Sequence, residues 1–294
     1  MYDVVIVGGG AAGLSAALVL GRARRSVLVV DAGEPRNRAA HESHGFLTRD
    51  GIPPGDLLKI GREEVRGYGV EVWDDRVTTV EPGFAVRLAG GGTVSARRLL
   101  VTTGMRDELP DIPGVAELWG NDVHLCPYCH GWEVRDQPIG VVKAGPAGVM
   151  KAVMLRQWSP DVVLFPGDYQ PTSDESARLV AHGIEVVPGA VGRLVVADGR
   201  LTGVEVAGTV VSRSAVFLQP DAYPRDELLR ALGCETDDRD VVRVDAAGRT
   251  TVDGVWATGN VVEPMTQLVT AAGMGSATAI ALNNELVFAA QPVR

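Results

Sequence analysis

The sequence predicts an α/β protein of two doubly wound parallel-sheet domains, the second inserted in the first. Three observations carry that expectation. A β-branched strand runs into a glycine-rich turn, an Ala/Leu-rich helix and a second strand in "DVVIVGGGAAGLSAALVLGRARRSVLVVDAG". The same strand–glycine–helix–strand plan returns near the middle, in "PIGVVKAGPAGVMKAVMLRQWSPDVVLFPGD". A further strand, a tight turn and a long helix rich in Ala and Gly follow late, in "VDGVWATGNVVEPMTQLVTAAGMGSATAIALNNELV". Strands alternating with helices in this way build parallel sheets covered on both faces.

In the first segment each part has a physical job. The strand Val4 to Val7 enters Gly8-x-Gly10-x-x-Gly13. Gly8 permits the tight turn, Gly10 lets a pyrophosphate approach the backbone, and Gly13 lets the helix pack close to the sheet. The helix N-terminus, with Ala11 and Ala12 counted among the cofactor-contacting positions, faces the phosphates. Asp31 closes the second strand and is placed to accept hydrogen bonds from a ribose diol. Strand, helix, second strand and terminal acid in register predict dinucleotide binding, where a glycine motif alone would be weak.

Composition bounds the partners. A protein of 294 residues has room for one large domain or two ordinary ones. The net charge of −9 argues against nucleic acid or an anionic membrane as the main partner. Three cysteines do not make a disulfide framework, and the odd count points to an intracellular protein. With no charged leader before "YDVVIVGGG" and no apolar run of membrane-spanning length, a cytoplasmic protein is expected.

The stretch "HLCPYCHGWE" holds Cys126 and Cys129, flanked by His124 and His130. A zinc site needs four ligands, and Cys126, Cys129 and one flanking histidine supply three, with no second C-x-x-C or H-x-x-x-H elsewhere. Cys234, in "RALGCE", is distant and reads as a helix-end packing residue, so no metal is expected. The tetrapeptide also matches small glutaredoxin-type domains, and a buried inert pair is a further reading. A redox dithiol suits the chemistry, because the short loop closes a reducible disulfide and depresses one thiol pKa. A lone C-x-x-C does not choose among these.

Two more segments bear on the choice. "ARRLLVTTGMRDELPDIPG" is a strand ending in Thr102-Thr103-Gly104, and the late segment turns at Gly259-Asn260. Together with the first fingerprint and the central Cys126-x-x-Cys129, the sequence resembles the flavin-dependent pyridine nucleotide–disulfide oxidoreductases, in their low-molecular-weight thioredoxin reductase group. The resemblance covers nearly the whole sequence and implies FAD, two Rossmann-like domains and a homodimer. It implies an FAD domain at 1–111 and 223–294, and a central domain at 112–222 carrying the cysteines. FAD contacts are implied for Thr103, Gly104, Gly259, Asn260, Gln267 and Leu268. Where the family has Asp after the late glycine, this protein has Asn260, which brings no charge. The resemblance further implies that Cys129 faces the flavin and Cys126 exchanges with substrate. His130 stands where the family carries an acid/base Asp, and a histidine can move protons near neutral pH. His124 is a second candidate and His44 a weaker one, on a loop that in the family passes close to the flavin. His41 and His182 read as surface residues.

The second copy of the fingerprint departs from the family. Lys143 stands at the first glycine position, with Gly145 and Gly148 at the second and third. Lysine does not easily adopt the turn that glycine supplies. Where relatives have a basic run for the 2′-phosphate of NADPH, this protein has Pro166-Gly167-Asp168. The C-P-Y-C-H-G version with a decayed nicotinamide site resembles the dithiol oxidases that close disulfides in gliotoxin-, holomycin- and romidepsin-type natural products. The expected function is oxidation of a small dithiol, with FAD passing electrons to oxygen. The alternatives are a reductase fed by NADPH or a ferredoxin-like donor, and a flavin-binding module with idle cysteines.

Overall fold

The computed structural model describes residues 1–81 and 83–289. The protein begins with β1 (Tyr2–Val7), α1 (Ala11–Arg22), β2 (Val27–Asp31), α2 (Pro54–Arg66), β3 (Glu71–Asp74), β4 (Val77–Glu81), β5 (Ala85–Leu88) and β6 (Thr93–Val101). After β7 (Met105–Glu108) come α3 (Val115–Leu118), β8 (Val123–His124), α4 (Pro127–His130), β9 (Ile139–Val142), α5 (Pro146–Leu155) and β10 (Val162–Phe165). Then follow α6 (Ser173–Ala181), β11 (Glu185–Val186), β12 (Val191–Ala197), β13 (Arg200–Val206), β14 (Thr209–Ser212) and β15 (Ala215–Leu218). The path returns through β16 (Asp221–Pro224), which pairs with β7, to α7 (Glu227–Ala231), β17 (Val255–Ala257) and α8 (Leu268–Ala289).

Two compact units result: Met1–Arg38, Gly45–Arg106 and Ala222–Arg294 in one, Ala39–His44 and Asp107–Asp221 in the other. Residues 39–44, expected from sequence in the first domain, pack with the second. They approach closely at Gly120, where an added Cβ would lie 2.3 Å from the Ala39 carbonyl oxygen.

In the first unit the sheet order is β3-β2-β1-β6-β5-β4, with β17 also paired to β6. The strands β1, β2, β3, β6 and β17 are parallel, and β4 and β5 are antiparallel additions. Both faces of the parallel part are buried, as its near-continuous β-branched runs require. One face packs Val4, Ile6, Val27, Val29 and Trp256 against α1 and α8. The other packs Val5, Val7, Leu28, Val30 and Leu99 around Cys234, which is a free thiol.

The second unit holds a five-stranded parallel sheet, β11-β10-β9-β15-β8. Beside it in sequence stands an antiparallel sheet, β12-β13-β14. Its hairpins turn at Asp198-Gly199 and Ala207-Gly208, with φ of 52° and 72°, then 49° and 78°. Positive φ at both central residues matches the twist of the flanking strands. The helix α6 starts with a reciprocal capping box between Thr172 and Glu175. No helix among the described residues is long and apolar enough to cross a membrane.

Candidate active site

The glycine turn after β1 is built as its residue types dictate. Gly8 has φ of 109°, and a Cβ on it would lie 2.6 Å from the Thr102 carbonyl oxygen. A Cβ on Gly13 would lie 2.0 Å from the Gly8 carbonyl oxygen, so α1 packs directly on the turn. Thr102 Oγ1 ties the same turn to β6 by donating to that Gly8 oxygen at 2.8 Å. Gly10 differs. Its φ of −79° suits any residue, and an added Cβ would meet nothing within 4 Å. The fold itself therefore does not require glycine at position 10; the open approach to the backbone is what a pyrophosphate needs. By that criterion the residues fit a dinucleotide.

Asp31 lies at the end of β2 against the same turn, where a Cβ on Gly9 would come 2.8 Å from its carboxyl carbon. One carboxylate oxygen is ion-paired to Arg62 of α2, which also holds Asp74. A cleft of about 250 Å³ lined by Asp31, Ala32, Gly33, Asp74, Asp75 and Arg76 adjoins it. Neither Gly9 nor Arg62 stands out in the sequence. Gly9 is hidden in an unassigned position of the motif, and Arg62 sits on a polar helix face with no motif around it.

The remaining positions expected from sequence to contact FAD divide by what already occupies them. Ala11 opens α1, while Ala12 is buried against Gly275 of α8, where a Cβ would lie 2.1 Å from the Ala12 carbonyl oxygen. Thr103 Oγ1 donates to the Arg225 carbonyl at 2.6 Å, and Arg225 N–H donates to the Gly104 carbonyl at 2.9 Å. Gly259 has φ of 79°. The Asn260 amide group faces the loop that follows it: Nδ2 lies 3.2 Å from the Glu263 carbonyl, 3.1 Å from those of Pro264 and Thr266, and 2.8 Å from Thr266 Oγ1. This arrangement needs the donor that aspartate lacks. Gln267 precedes Leu268 at the start of α8, and its carbonyl accepts from Ala271 N–H at 2.9 Å.

The cysteines lie in the second unit, at the C-terminal end of β8. Cys126 and Cys129 form a disulfide across α4, with Cα atoms 5.3 Å apart. The Cys126 carbonyl accepts from both Cys129 N–H and His130 N–H at 3.2 Å. Gly131 lets the turn close on its surroundings, since a Cβ there would lie 2.6 Å from the Pro127 carbonyl oxygen and 2.8 Å from the Trp158 ring.

Three imidazoles gather here. His124 and His130 stack with ring centroids 4.6 Å apart and planes at 16°. His44 stands edge-on to His130 at 6.5 Å, and its Nε2 lies 3.4 Å from Glu133 and 3.5 Å from Glu42. Residues 39–44 deliver His44 to this cluster. His124 is buried, and among the described residues neither ring nitrogen has a hydrogen-bond partner. Burial, reinforced by the charge that His130 would carry, pushes its pKa down to about 3. Burial also lowers His130, with Glu133 opposing and His44 adding to the shift. Both rings are thereby held neutral at neutral pH, and a neutral imidazole is the form that accepts a proton. His182 and His41 lie outside the cluster; His182 Nδ1 sits 2.8 Å from the Arg178 carbonyl. Among the described residues no group of three or more His, Cys, Asp and Glu side chains is disposed to hold a metal.

The second fingerprint is built differently from the first. A Cβ on Gly148 would lie 2.1 Å from the Lys143 carbonyl oxygen, repeating the Gly13–Gly8 contact. Yet Lys143 is absent from the residues with positive φ, and Gly145 takes φ of 80° where Gly10 has −79°. Lysine is accommodated because the left-handed residue has moved two places along the turn. At the end of β10, Pro166 is buried and Asp168 is exposed.

The profile of the family "Pyridine nucleotide-disulphide oxidoreductase" matches residues 2–275. A "Probable thioredoxin reductase" of Arthroderma benhamiae is 38% identical over 176 residues, a match spanning 56% of this protein and 43% of that one. "Thioredoxin reductase tcpT" of Claviceps purpurea is 30% identical over 285 residues, covering 88% of this protein and 86% of the relative. Among solved structures, HlmI superposes with a TM-score of 0.94 at 53% identity, covering 98% of this protein and 93% of that one. The protein belongs to the pyridine nucleotide–disulphide oxidoreductase family, as a thioredoxin reductase-like flavoprotein whose cofactor is FAD.

Proposed function

We propose that the protein is a dithiol oxidase, forming a disulfide in a small natural-product-type dithiol through the Cys126–Cys129 pair. The observation that carries this direction is the contrast between the two fingerprint turns. The first is open at Gly10 and backed by Asp31. The second has Lys143 at its head, a displaced glycine conformation and an exposed Asp168 where a 2′-phosphate calls for a cation. Electrons from NADPH have no ready entry, so the substrate dithiol supplies them.

The protein's residues would act in order. A substrate thiolate attacks Cys126 Sγ; the Cys126–Cys129 bond breaks, Cys129 leaves as thiolate and a mixed disulfide forms. The second substrate thiol loses its proton to neutral His130 and attacks the substrate sulfur held on Cys126. That closes the substrate disulfide and releases Cys126 as thiolate, leaving two electrons on the protein cysteines. FAD, held at the Gly8–Gly13 turn and Asp31, would supply a two-electron acceptor for the reduced Cys126–Cys129 pair, with oxygen as the final acceptor and hydrogen peroxide as its product. The same reading takes the protein as a cytoplasmic homodimer. In its support, α8 leaves Ile280 52% and Phe288 69% exposed, an apolar face suited to a second copy.

The test is aerobic turnover of a small intramolecular dithiol, with peroxide measured alongside. One peroxide per disulfide is expected, lost in Cys126→Ser and in Cys129→Ser. Only Cys126→Ser, which frees a Cys129 thiolate, should show a long-wavelength charge-transfer band; the reverse would exchange the two cysteine roles. Disulfide formation without peroxide would contradict oxygen as acceptor. Lys143, whose charge is at the turn, supports the second reading, an NADPH-fed reductase in which that lysine meets a phosphate.

A further inference from the structure

Lys151 is a cation in the second unit that the proposed chemistry leaves unused. It projects from α5 and is mostly withdrawn from solvent. Its Nζ donates to the Leu125 carbonyl at 2.9 Å, the Leu218 carbonyl at 3.1 Å and Gln219 Oε1 at 3.2 Å. All three ammonium protons are used. Leu125 immediately precedes Cys126, and Leu218 ends β15, which pairs with β8. One lysine thus clamps the ends of two neighbouring strands and the entry to the cysteine turn.

We propose that Lys151 is a positioning residue for the Cys126–Cys129 pair, fixing the backbone ahead of Cys126 and stabilising the Cys126 thiolate by its charge. The inference rests on the oxidase reading for its purpose: Cys126 is the leaving group when the substrate disulfide closes. A better-stabilised thiolate leaves faster. Covalent geometry alone keeps the ammonium within about 9 Å of Cys126 Sγ, given its contact with the preceding carbonyl. A unit charge at that range in a protein interior changes a thiol's ionisation about tenfold. Burial, with Lys143 adding to it, lowers the Lys151 pKa to about 8, so the charge is still present at neutral pH. Satisfying three acceptors alone would not require a cation. That difference makes the inference testable.

The experiment is iodoacetamide labelling of Cys126 in dithiol-reduced, anaerobic holoprotein, read peptide by peptide by mass spectrometry at pH 7. It involves no substrate turnover and no oxygen, so its failure is separate from failure of the oxidase reading. Removing the charge lowers the thiolate fraction about tenfold, and the greater nucleophilicity of the more basic thiolate offsets about half of that on a logarithmic scale. Labelling of Cys126 is therefore expected to slow about threefold in Lys151→Met and Lys151→Gln, and to stay near wild type in Lys151→Arg. A folded Lys151→Gln protein labelled at the wild-type rate would overturn the proposal.

Discussion

At the scale of single residues, two stacked histidines do different work. In the proposed mechanism His130 is the base, and burial lowers its pKa so that the ring is neutral at neutral pH. His130→Ala should slow turnover about a hundredfold, the usual contribution of a positioned acid/base. The acid limb of the wild-type kcat/KM profile should fall below 6.5, the ordinary histidine value. A limb at or above that value would move the role elsewhere. His124, 4% exposed, is the cost of holding that ring in place. Its pKa of about 3 in the folded protein lies below the ordinary 6.5, so the unfolded state binds a proton that the native state refuses. Stability is then unaffected above pH 6.5 and falls as pH drops from there toward 3, by about 2 kcal/mol at pH 5. His124→Phe keeps a stacked ring and should flatten that part of the stability curve in urea titrations. An unchanged slope would show that His124 titrates normally. All three histidines are candidates from sequence, but their arrangement is not legible there, because His44 is remote from His130 along the backbone and only folding brings the two together.

Whole elements are more readable. Strand, glycine turn, helix and terminal acid are neighbours in sequence with local physical jobs, so β1, α1 and β2 appear as their residue types dictate. The hairpins of β12, β13 and β14 carry a signal in Asp198-Gly199, but the fingerprint pattern around them points toward a plain doubly wound domain. The late turn shows the opposite limit. Asn260 occupies a position where the family resemblance implies Asp, and residue type alone cannot say which way its amide points. In the structure it donates into the loop 263–266 that leads to Gln267 and α8. Asn260→Asp would set a carboxylate against three carbonyl oxygens and remove the donor, costing about 1–3 kcal/mol. Despite restoring the family residue, it should weaken FAD retention tenfold or more, read by flavin release on dilution. Tighter retention would mean that Asn260 serves the cofactor directly.

For the molecule as a whole, the central claim is the direction of electron flow. The family membership is legible almost end to end, since its motifs are spread along the entire sequence. The rebuilt second turn is legible as a departure, but not in form: the sequence suggests a lysine forced into a glycine conformation, whereas the left-handed residue has shifted to Gly145. Loss of a few charge-assisted hydrogen bonds, each about 1.5–3 kcal/mol, weakens nucleotide binding by orders of magnitude. The most direct measurement is anaerobic mixing of the FAD-loaded protein with stoichiometric NADPH or with a small intramolecular dithiol, following the flavin absorbance. The dithiol should bleach the flavin, air should restore its colour with release of hydrogen peroxide, and NADPH should leave it oxidised over many minutes. Rapid bleaching by NADPH would contradict the oxidase direction and return the protein to the reductases.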